Sequence, residues 1–180
     1  MIYIVVLNWN GAIDTINCVK SLMNLNYDDY KIIVVDNCST DNSYDSIKEN
    51  LNALYITGKS FIEVKYEDRS KYQTLENDKI ILIQSPKNNG YASGNNIGIE
   101  LALNQEDMKY VWVLNNDTEV DKEALTHLIS KCDSDKNIGI CGSRLVYFTN
   151  EAARLLTEMK ILHKTPDINT LYDAKYVTQP

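Results

Sequence analysis

Ile2-Tyr3-Ile4-Val5-Val6-Leu7, then Ile13, Ile16, Val19, Leu22 and Met23 at helical spacing, then Lys31-Ile32-Ile33-Val34-Val35: this opening stretch decides the fold. Both apolar runs are short, rich in β-branched residues and free of polar alternation, which marks strands covered on both faces. Between them the apolar positions return every three or four residues, the stripe of a helix with one buried side. Strand, helix and strand in that order form a βαβ unit, whose two strands lie parallel.

The alternation continues along the chain. Asp41-Asn42-Ser43 is a helix start signal, followed by Ile47, Leu51 and Leu54 on one side. From about Tyr55 to Asp78 the helical period is lost. Phe61, Val64 and Tyr66 alternate there with Glu63, Lys65 and Glu67, which predicts a small hairpin or ordered insertion rather than a sheet crossover. Lys79-Ile80-Ile81-Leu82-Ile83 is the next strand, Ser85 to Ser93 a polar loop, and Ile97, Leu101 and Ala102 the inner face of another helix. Tyr110-Val111-Trp112-Val113-Leu114 reads as a further buried strand. Asp121 reads as the cap of a helix carrying Ala124, Leu125, Leu128 and Ile129, and Ile138-Gly139-Ile140-Cys141-Gly142 as one more strand. The pattern predicts an α/β fold: a mostly parallel sheet with flanking helices and a small insertion at about 55–78. The 180 residues suit one domain, residues 1–180. Glu151 to Pro180 carries mixed signals and no terminating element, so the chain is expected to be cut off there.

Composition excludes several functions. Eighteen basic against 25 acidic residues give a net charge of −7, with no Lys/Arg stripe, so nucleic acid is not an expected partner. Cys18, Cys38, Cys132 and Cys141 show no Cys-x-x-Cys spacing, and His127 and His163 are too few to complete a zinc site. Reduced, structural thiols in a cytoplasmic protein are the expectation. The start lacks a basic leader and a cleavage site, and no apolar run approaches the ~20 residues of a spanning helix.

Each strand hands over to a polar cluster: Asn8-Trp9-Asn10-Gly11, Asp36-Asn37-Cys38-Ser39-Thr40-Asp41, Asn88-Asn89-Gly90-Tyr91 and Asn115-Asn116-Asp117. In a parallel sheet these converge on one edge, where open α/β sheets bind their ligands. Asn and Asp can read the polar edge of a pyrimidine and the ribose hydroxyls, and Gly lets backbone approach closely. Each cluster alone reads better as a set of turn formers; it is their convergence that points to a ligand. Asp117 is read in two ways, as a helix-capping turn residue or as the ligand of a hard divalent cation set against a phosphate. Gly90, Gly94 and Gly98 recur every four residues, which matches neither a dinucleotide fingerprint nor a P-loop; Gly94 and Gly98 serve either close helix packing or a ligand. Cys38 has no histidine near it in sequence and reads as packing.

Four ordered motifs now carry a resemblance. Leu7-Asn8-Trp9-Asn10-Gly11; Val35-Asp36-Asn37-x-Ser39-x-Asp41-x-Ser43; Asn89-Gly90-Tyr91-Ala92-x-Gly94-x-Asn96-x-Gly98; and Leu114-Asn115-x-Asp117-Thr118 resemble the family 2 glycosyltransferases, and within them the rhamnosyltransferase-like branch. The match covers residues 1 to about 148, interrupted by 55–78. It implies a GT-A fold, a Rossmann-like nucleotide-binding architecture, with a nucleotide-sugar donor such as dTDP-rhamnose or a UDP-sugar and a Mg²⁺ or Mn²⁺ cofactor. It places Asn8, Trp9 and Asn10 with Asp36 and Asn37 around base and ribose, and Gly90 and Asn95 or Asn96 beside the nucleotide. Asn115-Asn116-Asp117 falls at the family's Asp-x-Asp, where Asn116 joins the nucleotide site and Asp117 alone would hold the metal.

The implied reaction is inverting transfer of a sugar to a saccharide or lipid-linked saccharide acceptor in cell-surface polysaccharide synthesis. Its setting would be the cytoplasm or the inner face of the membrane, with peripheral association. The family's base lies in an acidic motif that does not follow Tyr147, so no catalytic residue is assigned; Glu151, Glu158, Asp167 and Asp173 lack supporting context, and the acceptor side is expected to be incomplete. The alternative is a non-catalytic nucleotide-sugar-binding module or inactive fragment. A sugar-nucleotide pyrophosphorylase would need a Gly-rich basic loop after the first strand, which Asn8-Trp9-Asn10-Gly11 is not.

Overall fold

Ile2–Asn8 (β1) and Tyr30–Asp36 (β2) are buried at every position, as unbroken apolar runs require of central strands in a parallel sheet. The computed structural model describes residues 1–55, 60–73, 78–143 and 160–162. They divide into two units, Met1–Lys122 and Glu123–Pro180.

In the first unit the strands are β1, β2, β3 (Ser60–Glu63), β4 (Asp78–Gln84) and β5 (Tyr110–Asn115), and the helices are α1 (Ala12–Leu22), α2 (Ser43–Tyr55) and α3 (Tyr91–Leu103). A short 3₁₀ turn covers Tyr66–Asp68. The five strands form one sheet in the order β3-β4-β2-β1-β5, parallel at every pairing. From β1 the chain steps outward to β2 and on to the edge strand β3, comes back to set β4 between them, then crosses the sheet to place β5 on β1's other side. The order therefore reverses between β1 and β5, the place where such sheets open a crevice at the carboxyl ends of their strands.

The two-residue period of the strands sorts the core into layers. Tyr3, Val5, Leu7, Ile33, Val35, Ile81 and Ile83 form one cluster with Ile97, Leu101 and Ala102 of α3. On the other face α1 and α2 pack side by side and bury Val19, Leu22, Ile47 and Leu51. Helix α3 approaches its face closely because Gly94 and Gly98 lack side chains. A Cβ on Gly94 would lie 2.6 Å from Leu7 Cδ1, and one on Gly98 would lie 2.6 Å from Val5 Cγ1. Of the two readings of these glycines, the packing role is realised in full.

Four expectations need correction. The 55–78 segment is not a hairpin: Phe61, Ile62 and Glu63 pair in parallel with Ile80, Ile81 and Leu82, so β3 is the edge of the main sheet. An edge strand is half exposed, so it alternates as a hairpin strand does, and the sequence pattern cannot separate them. Strand β5 is the opposite edge, and only Leu114 in it is buried. The run at Ile138 to Gly142 yields a three-residue strand, β6 (Ile140–Gly142), which joins no parallel sheet but pairs antiparallel with β7 (Lys160–Leu162) in the second unit. Ile140 there is 61% exposed, against the buried strand expected. Helix α4 (Ala124–Ser134) starts three residues past Asp121, with Glu123 rather than Asp121 at its N-cap position. The α2 start signal behaves as read: the Ser43 N–H donates to Asp41 Oδ1 at 2.9 Å. Glu151, Glu158, Asp167 and Asp173 lie outside the described residues.

Candidate functional site

All four polar clusters sit at the carboxyl ends of β1, β2, β4 and β5, and side-chain hydrogen bonds tie each to the next. The centre is Asp36, fully buried at the end of β2. Its Oδ1 accepts from Asn8 Nδ2 at 2.7 Å and from Ser39 Oγ at 2.5 Å, and its Oδ2 from the Ser39 N–H at 3.1 Å and Gln84 Nε2 at 3.2 Å. The register dictates two of these partners, because Asn8 and Gln84 are the residues paired with Asp36 on the flanking strands. A buried charge is tolerated when hydrogen bonds replace its lost water, and four do so here.

Asn8 is itself fully buried, and its Oδ1 accepts from Thr15 Oγ1 at 2.8 Å and from the Gly11 N–H at 3.3 Å. Asn116 Nδ2 reaches back from the β5 turn to Thr15 Oγ1 at 3.0 Å and to the Gly11 carbonyl at 3.4 Å. Gly11 permits this approach, since a Cβ there would stand 2.8 Å from Asn116 Nδ2. Asn10 has φ 54° and Cys38 φ 58°, the non-glycine residues at positive φ among those described. Both lie in strand-end turns, and such backbone is held only where its surroundings fix it. Around Asn10 those surroundings are visible: its N–H donates to Ser39 Oγ at 2.9 Å, and its side chain exchanges hydrogen bonds with Thr40. Trp9 beside it is 55% exposed.

On the α3 side the arrangement is less complete. Asn37 Nδ2 donates to Asn88 Oδ1 at 3.0 Å and to the Gly90 carbonyl at 3.3 Å. Asn95 Nδ2 donates to the Tyr91 carbonyl at 3.0 Å. Both residues are buried, yet Asn37 Oδ1 and Asn95 Oδ1 have no hydrogen-bond partner. Unpaired buried acceptors are rare, and each calls for a water or ligand donor. Asn96 points outward and is exposed. Gly90 carries φ 91°, a conformation costly for any residue with a Cβ, and its N–H is held by Asn88 Oδ1 at 2.8 Å.

Asp117 is exposed in the turn after β5, beside the reversal of strand order at which open parallel sheets bind ligands. Its charge acts on Cys18 below it, whose thiol is pushed up to about 12, first by burial and then by Asp117. Cys18 is thus a protonated packing residue, donating weakly to the Asn115 carbonyl at 3.8 Å. The donor set around Asp117 suits a hard cation only in part. Asp36, the buried acid of this edge, has both oxygens taken, and among the described residues no group of three or more His, Cys, Asp or Glu could hold a metal. One exposed carboxylate fits a cation whose other ligands come from phosphate oxygens and water, not an all-protein cage.

Residues 3–179 match the sequence profile of glycosyl transferase family 2. The chain belongs to glycosyl transferase family 2. One relative is the low-salt glycan biosynthesis hexosyltransferase Agl10 of Haloferax volcanii, 34% identical over 105 residues, which are 56% of this chain and 32% of that protein. Among solved structures, the mannosyltransferase PcManGT from Pyrobaculum calidifontis, in complex with GDP-Man and Mn²⁺, overlaps with a TM-score of 0.55 at 14% identity, over 77% of this chain and 33% of that one. S. aureus TarS 1-349 in complex with UDP-GlcNAc gives a TM-score of 0.49 at 18% identity, over 74% and 31%. The family 2 chain described here thus spans about a third of the length of the relatives it matches.

For this family 2 member, several working parts of the strand-end edge carried no sequence signal of their own. Thr15 and Gln84 look like ordinary helix and strand residues. Gln84 could have been found from the parallel register, which sets it beside Asp36; Thr15 could not, since its partner Asn8 is seven residues away across a turn. Tyr91 stands inside the Asn89-Gly90-Tyr91 motif, which does not single it out.

Proposed function

We propose that the strand-end edge binds a nucleoside-diphosphate sugar, and that the chain is the donor-binding part of an inverting hexosyl- or rhamnosyltransferase of cell-surface polysaccharide synthesis. The observation that carries this reading is the linkage of four polar clusters along one edge, with the buried Asp36 carboxylate at the end of β2 and the exposed Asp117 in the turn after β5. Neighbouring strands are about 4.8 Å apart, so β2 and β5, separated by β1, lie roughly 10 Å from each other. That span suits a nucleotide lying across the edge, its base and ribose near Asp36, Asn37 and Asn10 and its diphosphate near Asp117. Helices α1 and α3 begin at the same edge, and their N-terminal dipoles favour an anion there.

Asp117 would hold Mg²⁺ or Mn²⁺, which neutralises charge on the departing diphosphate. PcManGT, with GDP-Man and Mn²⁺, supports this cofactor class, and the hexosyltransferase relative supports the reaction class. The chain's own residues do the rest: Asp36 and Asn8 hold the β2 turn in place, Gly90 admits the ligand close to backbone, and Asn37 and Asn95 offer acceptors to its hydroxyls or N–H groups. A saccharide or lipid-linked saccharide would take the sugar, at or near the inner face of a membrane. No helix among the described residues is long and apolar enough to cross one.

A thermal-shift screen of UDP, GDP and dTDP, with and without Mn²⁺, tests the reading. A nucleotide at a hundred times its Kd stabilises the native state by about 2.7 kcal/mol. We expect at least one to raise the melting temperature, more so with Mn²⁺. No shift with any of them would refute donor binding.

A further inference from the structure

The hydroxyl of Tyr91 donates to Asn115 Oδ1 at 2.7 Å, a bond between the first residue of α3 and the last of β5. The register explains how they meet. Asn115 pairs with Leu7, whose side chain lies under α3 beside Gly94, so Asn115 belongs to the α3 face while Asn116 turns to Thr15 on the other. The start of α3 is pinned as well, because Gly90 at φ 91° is held through its N–H by Asn88 and through its carbonyl by Asn37. Tyr91, 58% exposed, therefore leaves a fixed point and reaches from the start of α3 to the end of β5.

The consequence is chemical. A carboxamide has an acceptor end and a donor end. With one lone pair of Oδ1 engaged by the tyrosine hydroxyl and the carboxamide held by that bond, the end of the exposed Asn115 left to meet a ligand is its NH₂ group, which cannot ligate a hard cation and can donate to phosphate or hydroxyl oxygens. We propose that Tyr91 is a positioning residue that fixes Asn115 as a hydrogen-bond donor to the ribose-diphosphate of the donor, leaving Asp117 as the one protein ligand of the cation from this segment. The inference rests on the placement of the nucleotide along this edge.

The test uses calorimetric titration with whichever of UDP, GDP and dTDP binds the wild-type chain, with and without Mn²⁺. Tyr91→Phe frees Asn115 to turn its oxygen toward the cation. Metal-free affinity should fall about fivefold, the worth of one ordinary hydrogen bond, while the ratio of affinities with and without Mn²⁺ grows. Asn115→Ala should lose as much without metal, and the double variant no more than Asn115→Ala alone, since the two residues act as one unit. Asn115→Asp should bind still more weakly without metal and depend more on Mn²⁺. Because Tyr91 is exposed, the Phe variant should melt within a few degrees of wild type. Unchanged metal-free affinity in Tyr91→Phe, or losses that add in the double variant, would overturn the inference while leaving the donor site intact. Binding of none of the three nucleotides by the wild type would overturn the site itself and this inference with it.

Discussion

The two halves of the strand-end edge are built from similar residues and finished differently. On the α1 side, Asn8, Thr15, Asp36, Ser39 and Asn116 spend their hydrogen-bonding capacity on one another, and Asn8 and Asp36 are fully buried. On the α3 side, Asn37 and Asn95 are equally buried but each keeps an unpaired oxygen, and Tyr91 and Asn115 bond at the surface. In the first half these five residues are tied together by folding; in the second, two buried acceptors stay unpaired, as does Ser43 Oγ at the start of α2. Buried polar networks rigidify when complete and are costly when not, so an unpaired buried acceptor calls for a donor that the chain itself does not supply.

If that contrast is right, substitutions in the two halves should separate stability from binding. The largest effect is expected for Asp36→Ala, which leaves donors from Asn8, Ser39 and Gln84 facing a buried void. We expect a loss of about 3 kcal/mol, read as a lower urea midpoint, together with weaker nucleotide binding with or without metal. An Asp36→Ala protein as stable as wild type would break the comparison on the α1 side.

Asn95→Ala probes the other half. It removes one hydrogen bond to the Tyr91 carbonyl but also an unpaired buried acceptor, so the two contributions offset and stability should change by less than about 1 kcal/mol. Nucleotide affinity should fall about tenfold if a ligand donor meets Oδ1. A stability loss as large as that of Asp36→Ala, with affinity untouched, would reverse the assignment.

Gly98→Ala sharpens the view that α3 is placed by packing. Alanine gains up to about 1 kcal/mol of helix propensity, but its Cβ would stand 2.6 Å from Val5 Cγ1, and valine is stiff at χ1, so overpacking of about 2 kcal/mol should win by roughly 1. Chemical denaturation measures the balance; net stabilisation would show that the sheet yields easily at this contact.

The smallest effect lies away from the site. Lys48, first, and the Tyr44 hydroxyl hold the Glu63 carboxyl below its usual range of about 4.5. Its folded value is thus lower than its unfolded one, so its contribution is present above the unfolded value and is lost as pH falls through the folded one. Glu63 is two-fifths exposed, so the contribution is small, and Glu63→Gln should slightly flatten the acid limb of stability against pH. An unchanged limb would mean that this pair contributes nothing measurable.

The sequence displayed the parallel core plainly, because β1, β2 and β4 are buried on both faces and so carry unbroken apolar runs. It did not display the edges. β3 and β5 are half exposed, one alternating like a hairpin and the other holding its aromatic run on the sheet's rim, and β6 found an antiparallel partner far along the chain. The strand-end clusters were legible because turn chemistry and register bring them together. What turned Asn8 inward and Asn96 outward was helix phase and a hydrogen bond to Thr15, neither of which a motif records.

A nucleoside diphosphate lying along this edge with its cation on Asp117 makes metal dependence hinge on one carboxylate, which titrating wild type and Asp117→Ala with the preferred nucleotide, with and without Mn²⁺, would reveal. Losing a ligand from an exposed site should cost binding and not core packing, so the variant should melt as wild type does, keep its metal-free affinity and lose all enhancement by Mn²⁺. A full Mn²⁺ enhancement in Asp117→Ala would contradict the account.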